Sequence, residues 1–329
     1  MTNLCKDAGC GVKRMVKLAI SLLFYMGNWL WCRVRQMTGG QLRGTCVVLF
    51  YHAVPVDQRS KFARQMDILS RWARPVRCDI RKPLDKGCHH AAIVFHDAFV
   101  SVCENALPEL AQRRIPSTLF VPTGYVGRFA GWMMDDGCLD STEVVVDVDR
   151  LKSFDNELVS IGSHGVTHTD FSILSEDEAR SELRKSKLEL EAIIGRPVRL
   201  FAFPYGEFGE ALVEWCKEAG YQRVFTILPK LAFSDPKEYV TGSYDVSPSD
   251  WSLEFKLKLL GAYRWLPPVY ALKRGTKLML GRRGYGTRTA KPSKEAAAAN
   301  TQSGQVRYAP HSQEKVWNEA SAPEARVGD

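Results

Sequence analysis

The chain has 329 residues, 45% of them hydrophobic and 25% charged, with 8 Trp, 11 Tyr and 15 Phe. That is the balance of an ordinary globular protein, so wholesale disorder is excluded, and the length suits one barrel-like α/β core with extensions. The formal net charge of +8 gathers at the two ends, in Lys13 to Arg35 and Lys273 to Lys294. Such ends suit an anionic membrane surface, and no nucleic-acid-binding signature accompanies them, so nucleic acid is not an expected partner.

Residues 1–42 read as a basic and apolar helical segment. Its uncharged run, Leu18 to Cys32, has 15 residues, short of the roughly 20 that a bilayer core requires. Trp29 and Trp31 beside Arg33 and Arg35 suit an interfacial helix, with rings at headgroup level and cations on lipid phosphate. Two other readings stand beside it. One is a signal peptide, given Lys13, Arg14 and Lys17 ahead of the apolar run, although no small-x-small cleavage site follows. The other is an amphipathic helix buried against the domain.

From 43 to 270, apolar runs bounded by turn residues predict buried strands at Cys46–Tyr51, Ala91–Phe95, Ser117–Val121, Leu158–Ile161, Arg199–Phe203, Arg223–Ile227 and Tyr239–Val246. Helical spacing lies between them. Phe62, Met66 and Leu69 share a face, as do Val102, Ala106 and Leu110. The clearest helix opens with the capping box Ser175-Glu-Asp-Glu178 and stops at Gly195, and another runs from Glu210 to Gly220. This alternation predicts an α/β domain, a distorted and incomplete (β/α) barrel of about seven parallel strands, with its chemistry at the C-terminal strand ends. His89 and His90 are expected in a solvated turn. Residues 271–329 read as a basic and then low-complexity disordered tail without site residues.

Nine cysteines form no C-x-x-C pair and no dense framework, which favours a reducing compartment facing the cytosol. Cys46, Cys103 and Cys216 fall in apolar patterns and read as buried small hydrophobes.

Four strand ends carry unusual polar residues: Tyr51-His52, His96-Asp97, Ser163-His164 with His168, and Pro204-Tyr205-Gly206. Strands pointing one way bring these ends together. One carboxylate with two imidazoles is the minimum set for a zinc-type site that keeps a coordination position open.

From Val47 to about Trp265 the chain resembles the polysaccharide deacetylases of the NodB-homology type, carbohydrate esterase family 4. The resemblance rests on Tyr51-His52, on Val94-Phe95-His96-Asp97-Ala98-Phe99 in the place of T-F-D-D-G-Y, on Ser163-His164-Gly-Val-Thr-His168 in the place of S-H-T-x-x-H, and on Phe203-Pro204-Tyr205-Gly206. It implies hydrolysis of acetyl groups from N- or O-acetylated sugars of a polysaccharide or oligosaccharide. It also implies one divalent ion, zinc foremost with cobalt, nickel or manganese as alternatives, held by Asp97, His164 and His168. The backbone N–H of Tyr205 would stabilise the oxyanion, and His52, Pro204, Tyr205, Asp250 and Trp251 would contact substrate, the last two through a loose match to D-x-x-D-W. With the basic and apolar N-terminal segment, the expected setting is a bacterial envelope or membrane, the cytoplasmic face being one of the two sides left open and secretion disfavoured.

The pattern breaks where the family's first Asp, its general base, is replaced by His96. A substitute base is one reading. The late Leu-x-His is also absent, and Ala202 stands where many members carry Arg. The alternative reading is therefore an impaired pseudoenzyme that binds glycan or an assembly partner through the same fold.

Overall fold

The computed structural model describes residues 4–132, 139–206 and 208–269, so the expected tail from 271 lies outside the described residues. Each apolar run marked above becomes a strand: β1 (Thr45–Tyr51), β3 (His89–Phe95), β4 (Ser117–Val121), β5 (Val159–Ser163), β6 (Leu200–Ala202) and β7 (Arg223–Thr226). The short β2 (Arg74–Pro75) adds to β3. The last run divides into β8 (Val240–Gly242) and β9 (Tyr244–Asp245).

Every pairing is parallel, in the order β8-β7-β6-β5-β4-β3-β1-β9. The division of the last run explains how so few strands curl into a nearly closed, distorted barrel. Its first half pairs with β7 and its second half with β1, so one chain segment serves both edges and must kink between them. Buried Ser243 holds the kink, donating from Oγ to the Thr226 carbonyl at 2.6 Å.

Side chains alternate across a strand with period two. Cys46, Val48 and Phe50 of β1, Ala92 and Val94 of β3, Phe120 of β4, Leu200 and Ala202 of β6 and Phe225 of β7 fill the barrel interior. Val47, Leu49, Tyr51, Ile93, Phe95, Leu119, Val121 and Phe201 face outward into a larger core with the helices. Those helices are α2 (Arg59–Trp72), α3 (Leu107–Gln112), α4 (Val148–Ser153), α5 (Glu176–Ile194), α6 (Glu210–Glu218) and α7 (Ser252–Leu259). On α5 the capping box forms, and Gly195 closes the helix at φ 67°, a left-handed conformation that glycine adopts without steric cost. A π-helical turn over Val102–Ala106 leads into α3.

The N-terminal helix α1 (Leu4–Met37) is twice the length of the apolar run. Most of its side chains from Gly11 onward are exposed, while Leu18 and Tyr25 pack on the core and Ser21 is buried, so α1 rests on the domain along one face only. The solvated turn expected at His89 and His90 is corrected. They open β3 in register with Thr45 and Cys46, His90 is buried, and His89 bridges Thr45 Oγ1 (2.8 Å) and the Leu259 carbonyl (2.7 Å). Strand pairing therefore begins two residues earlier than the Gly–Lys turn suggested. Cys46, Cys103 and Cys216 are buried, and burial pushes all three thiols upward.

Candidate active site

The inward parity of the strands aims the site. Continuing Cys46, Val48, Phe50 by two reaches His52, and continuing His90, Ala92, Val94 reaches His96. On β5, Gly162 leads to His164. All three imidazoles thus emerge at the C-terminal mouth of the barrel. His96 and His52 stand edge to face with ring centroids 5.5 Å apart, and His96 and His164 are 4.9 Å apart.

Asp97, His164 and His168 are buried, and one donor atom from each lies within 4.8 Å of the other two. Asp97 Oδ1 is 3.0 Å from His168 Nε2 and 3.6 Å from His164 Nε2. His164 Nδ1 donates to the Ala202 carbonyl at 2.8 Å, which fixes the tautomer and leaves the Nε2 lone pair facing the carboxylate. His168 Nδ1 and Asp97 Oδ1 have no well-aligned hydrogen-bond partner among the described residues. Three lone-pair donors converging in a buried place, with the carboxylate oxygen poorly satisfied, fit a divalent cation.

Electrostatics agree with the geometry. Burial alone would raise the Asp97 carboxyl, but His168, then His164 and His52, hold it well below the usual carboxylate range. Burial, reinforced by His168, pushes His164 down to about 3, so its imidazole is neutral around neutral pH. Burial also drives His96 well below its ordinary value, with His164 and His52 adding to the effect. Its ring stacks on Phe50 (4.7 Å, interplanar 11°) and meets Phe120 edge-on (5.8 Å), and its Nε2 has no hydrogen-bond partner among the described residues.

Backbone strain concentrates here. Asp97 (φ 68°), Ala98 (φ 49°), His168 (φ 54°) and Tyr205 (φ 58°) all occupy the left-handed region, which costs non-glycine residues about 1–3 kcal/mol each and persists where surroundings enforce it. For His168 the enforcing group is Glu182 on α5. Its Oε2 accepts from Val166 N (2.6 Å) and Thr167 N (3.1 Å), and its Oε1 accepts from Thr167 Oγ1 (3.0 Å). The loop carrying both histidines is thereby clamped to the longest helix of the barrel.

Around the triad, Tyr205 places its ring 5.1 Å from His168 in the turn Pro204–Gly206; Pro204 is buried and Tyr205 about half exposed. Trp132 escaped the sequence reading, and Asp140, in a Gly-rich stretch, reads from sequence as facing water rather than metal. Trp132 stacks on His168 at 4.3 Å and 24° and meets Tyr125 and Phe99. Asp140 has a carboxyl raised by burial, with His52 opposing and Asp97 adding to the shift, so it lies within electrostatic reach of both. An aromatic ring and acids in a Gly-rich segment were the available signal.

Asp250 and Trp251 are tied elsewhere. Asp250 accepts from Lys258 Nζ (2.7 Å) and Ser247 N (3.2 Å), and Trp251 lies under the Arg14 guanidinium at 4.4 Å. These contacts fasten α7 and α1, not the triad.

Residues 84–224 match the profile of the polysaccharide deacetylase family, a stretch that includes the triad and Pro204-Tyr205. YxkH of Bacillus subtilis (strain 168), a curated protein whose name places it with the polysaccharide deacetylases, is 23% identical over 168 residues, 51% of this chain and 54% of its own length. This chain thus spans about half of that relative. Among solved structures, IcaB from Ammonifex degensii superposes with a TM-score of 0.54 at 24% identity, covering 67% of this chain and 97% of its own. The Streptococcus pyogenes deacetylase PplD, solved with acetate, gives 0.55 at 16%, covering 66% and 99%. A polysaccharide deacetylase of Bacillus cereus gives 0.51 at 20%, covering 65% and 69%. These structures share the barrel fold.

Proposed function

We propose that the protein is a metal-dependent hydrolase that removes acetyl groups from N- or O-acetylated sugars of a polysaccharide, a reading supported by the match of residues 84–224 to the polysaccharide deacetylase profile. Asp97, His164 and His168 hold the ion, with zinc the expected metal and cobalt, nickel or manganese able to replace it. The observation that carries this reading is the convergence of Asp97 Oδ1 with the two Nε2 atoms in a buried site. A divalent ion bound there supplies Lewis acidity to the acetyl carbonyl and makes water a usable nucleophile near neutral pH.

The chain's own groups do the rest. His164, fixed by the Ala202 carbonyl, keeps one lone pair aimed at the ion. The Tyr205 backbone N–H serves as oxyanion donor. His52, Pro204, the Tyr205 ring and Trp132 line the mouth where a sugar ring would stack. Asp250 and Trp251 are left out of this role because their contacts run to α7 and α1.

His96 takes the place of a carboxylate base. Packed between Phe50 and Phe120 and held neutral by burial, it is a weaker base than a free imidazole, which favours slow turnover or the pseudoenzyme reading. Bound zinc measured with acetate release from acetylated oligosaccharides tests both. Asp97→Asn, His164→Ala or His168→Ala is expected to lose metal and acetate release together; metal retained by all three would sink the ligand assignment. If His96→Asp raises acetate release, the histidine marks decay of activity. If it lowers an existing rate, His96 is the working base.

The helix α1 supports a place at a membrane or cell envelope. By length and composition Gly11–Met37 is long and apolar enough to cross a bilayer, and its flanking cations match anionic headgroups.

A further inference from the structure

The helix α1 is three-sided. At 3.6 residues per turn, Arg14, Leu18, Ser21, Tyr25 and Asn28 fall on one stripe, and that stripe is fastened to the barrel domain. Arg14 Nε donates to Glu254 Oε2 at 2.7 Å. Trp265 Nε1 donates to Ser21 Oγ at 2.9 Å. Arg264 donates to Asn28 Oδ1, and its guanidinium lies over the Phe24 ring. Leu18 and Tyr25 pack against the main core.

On the opposite side Val12, Met15, Leu23, Met26, Leu30 and Val34 are exposed, Leu23 by 68% and Leu30 by 59%. Trp29 and Trp31, also exposed, fall on the two borders of this apolar stripe. Lys13, Lys17 and Arg35 share one flank between the apolar and docked sides, where all three are exposed. From Gly11 to Met37 there is no acidic residue.

We propose that α1 lies flat in the headgroup layer of an anionic phospholipid bilayer, docked on the domain along one stripe and sunk in lipid along the opposite one, without crossing the membrane. This rests on the membrane reading above and deepens it. Crossing a hydrocarbon core of about 30 Å takes about 20 helical residues. The fastened stretch from Arg14 to Asn28 lies against protein, leaving only the stretches 4–13 and 29–37 free, each spanning about 15 Å or less at 1.5 Å per residue. Lipid is favoured over a second copy because two such helices facing each other would bring Lys13, Lys17, Arg33 and Arg35 against like charges with no acid to answer them.

Vesicle flotation of the full chain tests this. The protein is expected to float with phosphatidylcholine–phosphatidylglycerol vesicles and much less with phosphatidylcholine alone. Leu23→Glu combined with Leu30→Glu is expected to lower partitioning by about a hundredfold or more, with the thermal midpoint unchanged. For the docked side, Arg14→Lys puts an amine beside Glu254, and a carbodiimide cross-link between positions 14 and 254 is expected at equal yield in the floated and free fractions. The Lys258–Glu254 pair, 3.5 Å apart, serves as internal control.

Unchanged flotation of the double variant would overturn the apolar contact. Floated protein that loses the 14–254 cross-link would overturn flat docking while the membrane reading stands. Absence of flotation on either vesicle would overturn both, and a dimer dissolved by the leucine pair would assign the face to a second copy.

Discussion

Glu182 shows at the scale of one residue how the site is held. Its carboxylate takes three hydrogen bonds from Val166 and Thr167, between the two proposed histidine ligands, and so sets the left-handed turn at His168. Glu182→Ala is expected to weaken zinc binding about ten- to a hundredfold, the scale seen when groups orienting a ligand are lost. It should also lower the unfolding free energy of the metal-free protein by about 1–3 kcal/mol, because two backbone N–H groups lose a charged acceptor. A zinc titration beside urea unfolding separates the two effects, and unchanged affinity would make Glu182 a fastener of the loop alone. Asp97, His164 and His168 were legible because they sit in short motifs at strand ends. Glu182 and Trp132 were not, because they lie outside those motifs, one on a helix and the other in an irregular segment without periodic signal, and Asp140 in that segment read as facing water.

Among the elements, the strands were legible nearly to the residue, since a buried parallel sheet writes itself as continuous apolar runs. What the pattern missed was the break at Ser243, which depends on two different partner strands, and the short helices α4 and α7, whose six and eight residues carry too few turns for a clear period. Charge ties the helices together. Glu109 on α3 bonds Arg59 of α2 at 2.8 Å and Arg113 at 2.9 Å, and the Arg59 hydrogen bond, with Arg113 behind it, holds its carboxyl below the ordinary value. A carboxylate with a depressed folded-state pKa contributes stability that is present above the unfolded pKa and lost as pH falls through the folded one. Glu109→Gln is therefore expected to cost about 1 kcal/mol near neutral pH, with the difference from the parent fading from about pH 4.5 downward. Urea midpoints collected across that range check it, and a pH-independent difference would assign the cost to packing.

Over the whole described molecule, the barrel has a polar mouth and an apolar middle, and a buried cation sits at its other end. Arg223 on β7 is fully buried. It donates to the carbonyls of Cys78, Ile80 (3.0 Å) and Glu238 (3.3 Å), with its guanidinium over the Phe233 ring at 4.4 Å. These bonds tie the chain after β2 and the chain before β8 beneath the strands, where no ladder joins them. Arg223→Met keeps much of the volume but strands three carbonyls, and each buried acceptor left unsatisfied costs about 1–3 kcal/mol. The mouth lies at the opposite ends of the same strands, and effects of distant sites without shared partners add independently. Arg223→Met is therefore expected to lower the urea midpoint strongly while zinc affinity, measured under conditions where the variant remains folded, stays within about twofold of the parent. Should affinity fall in step with stability, floor and mouth would be one cooperative unit. The inward file of side chains from Cys46 through Val48 and Phe50 to His52 would then be the route by which strain at one end reaches the other.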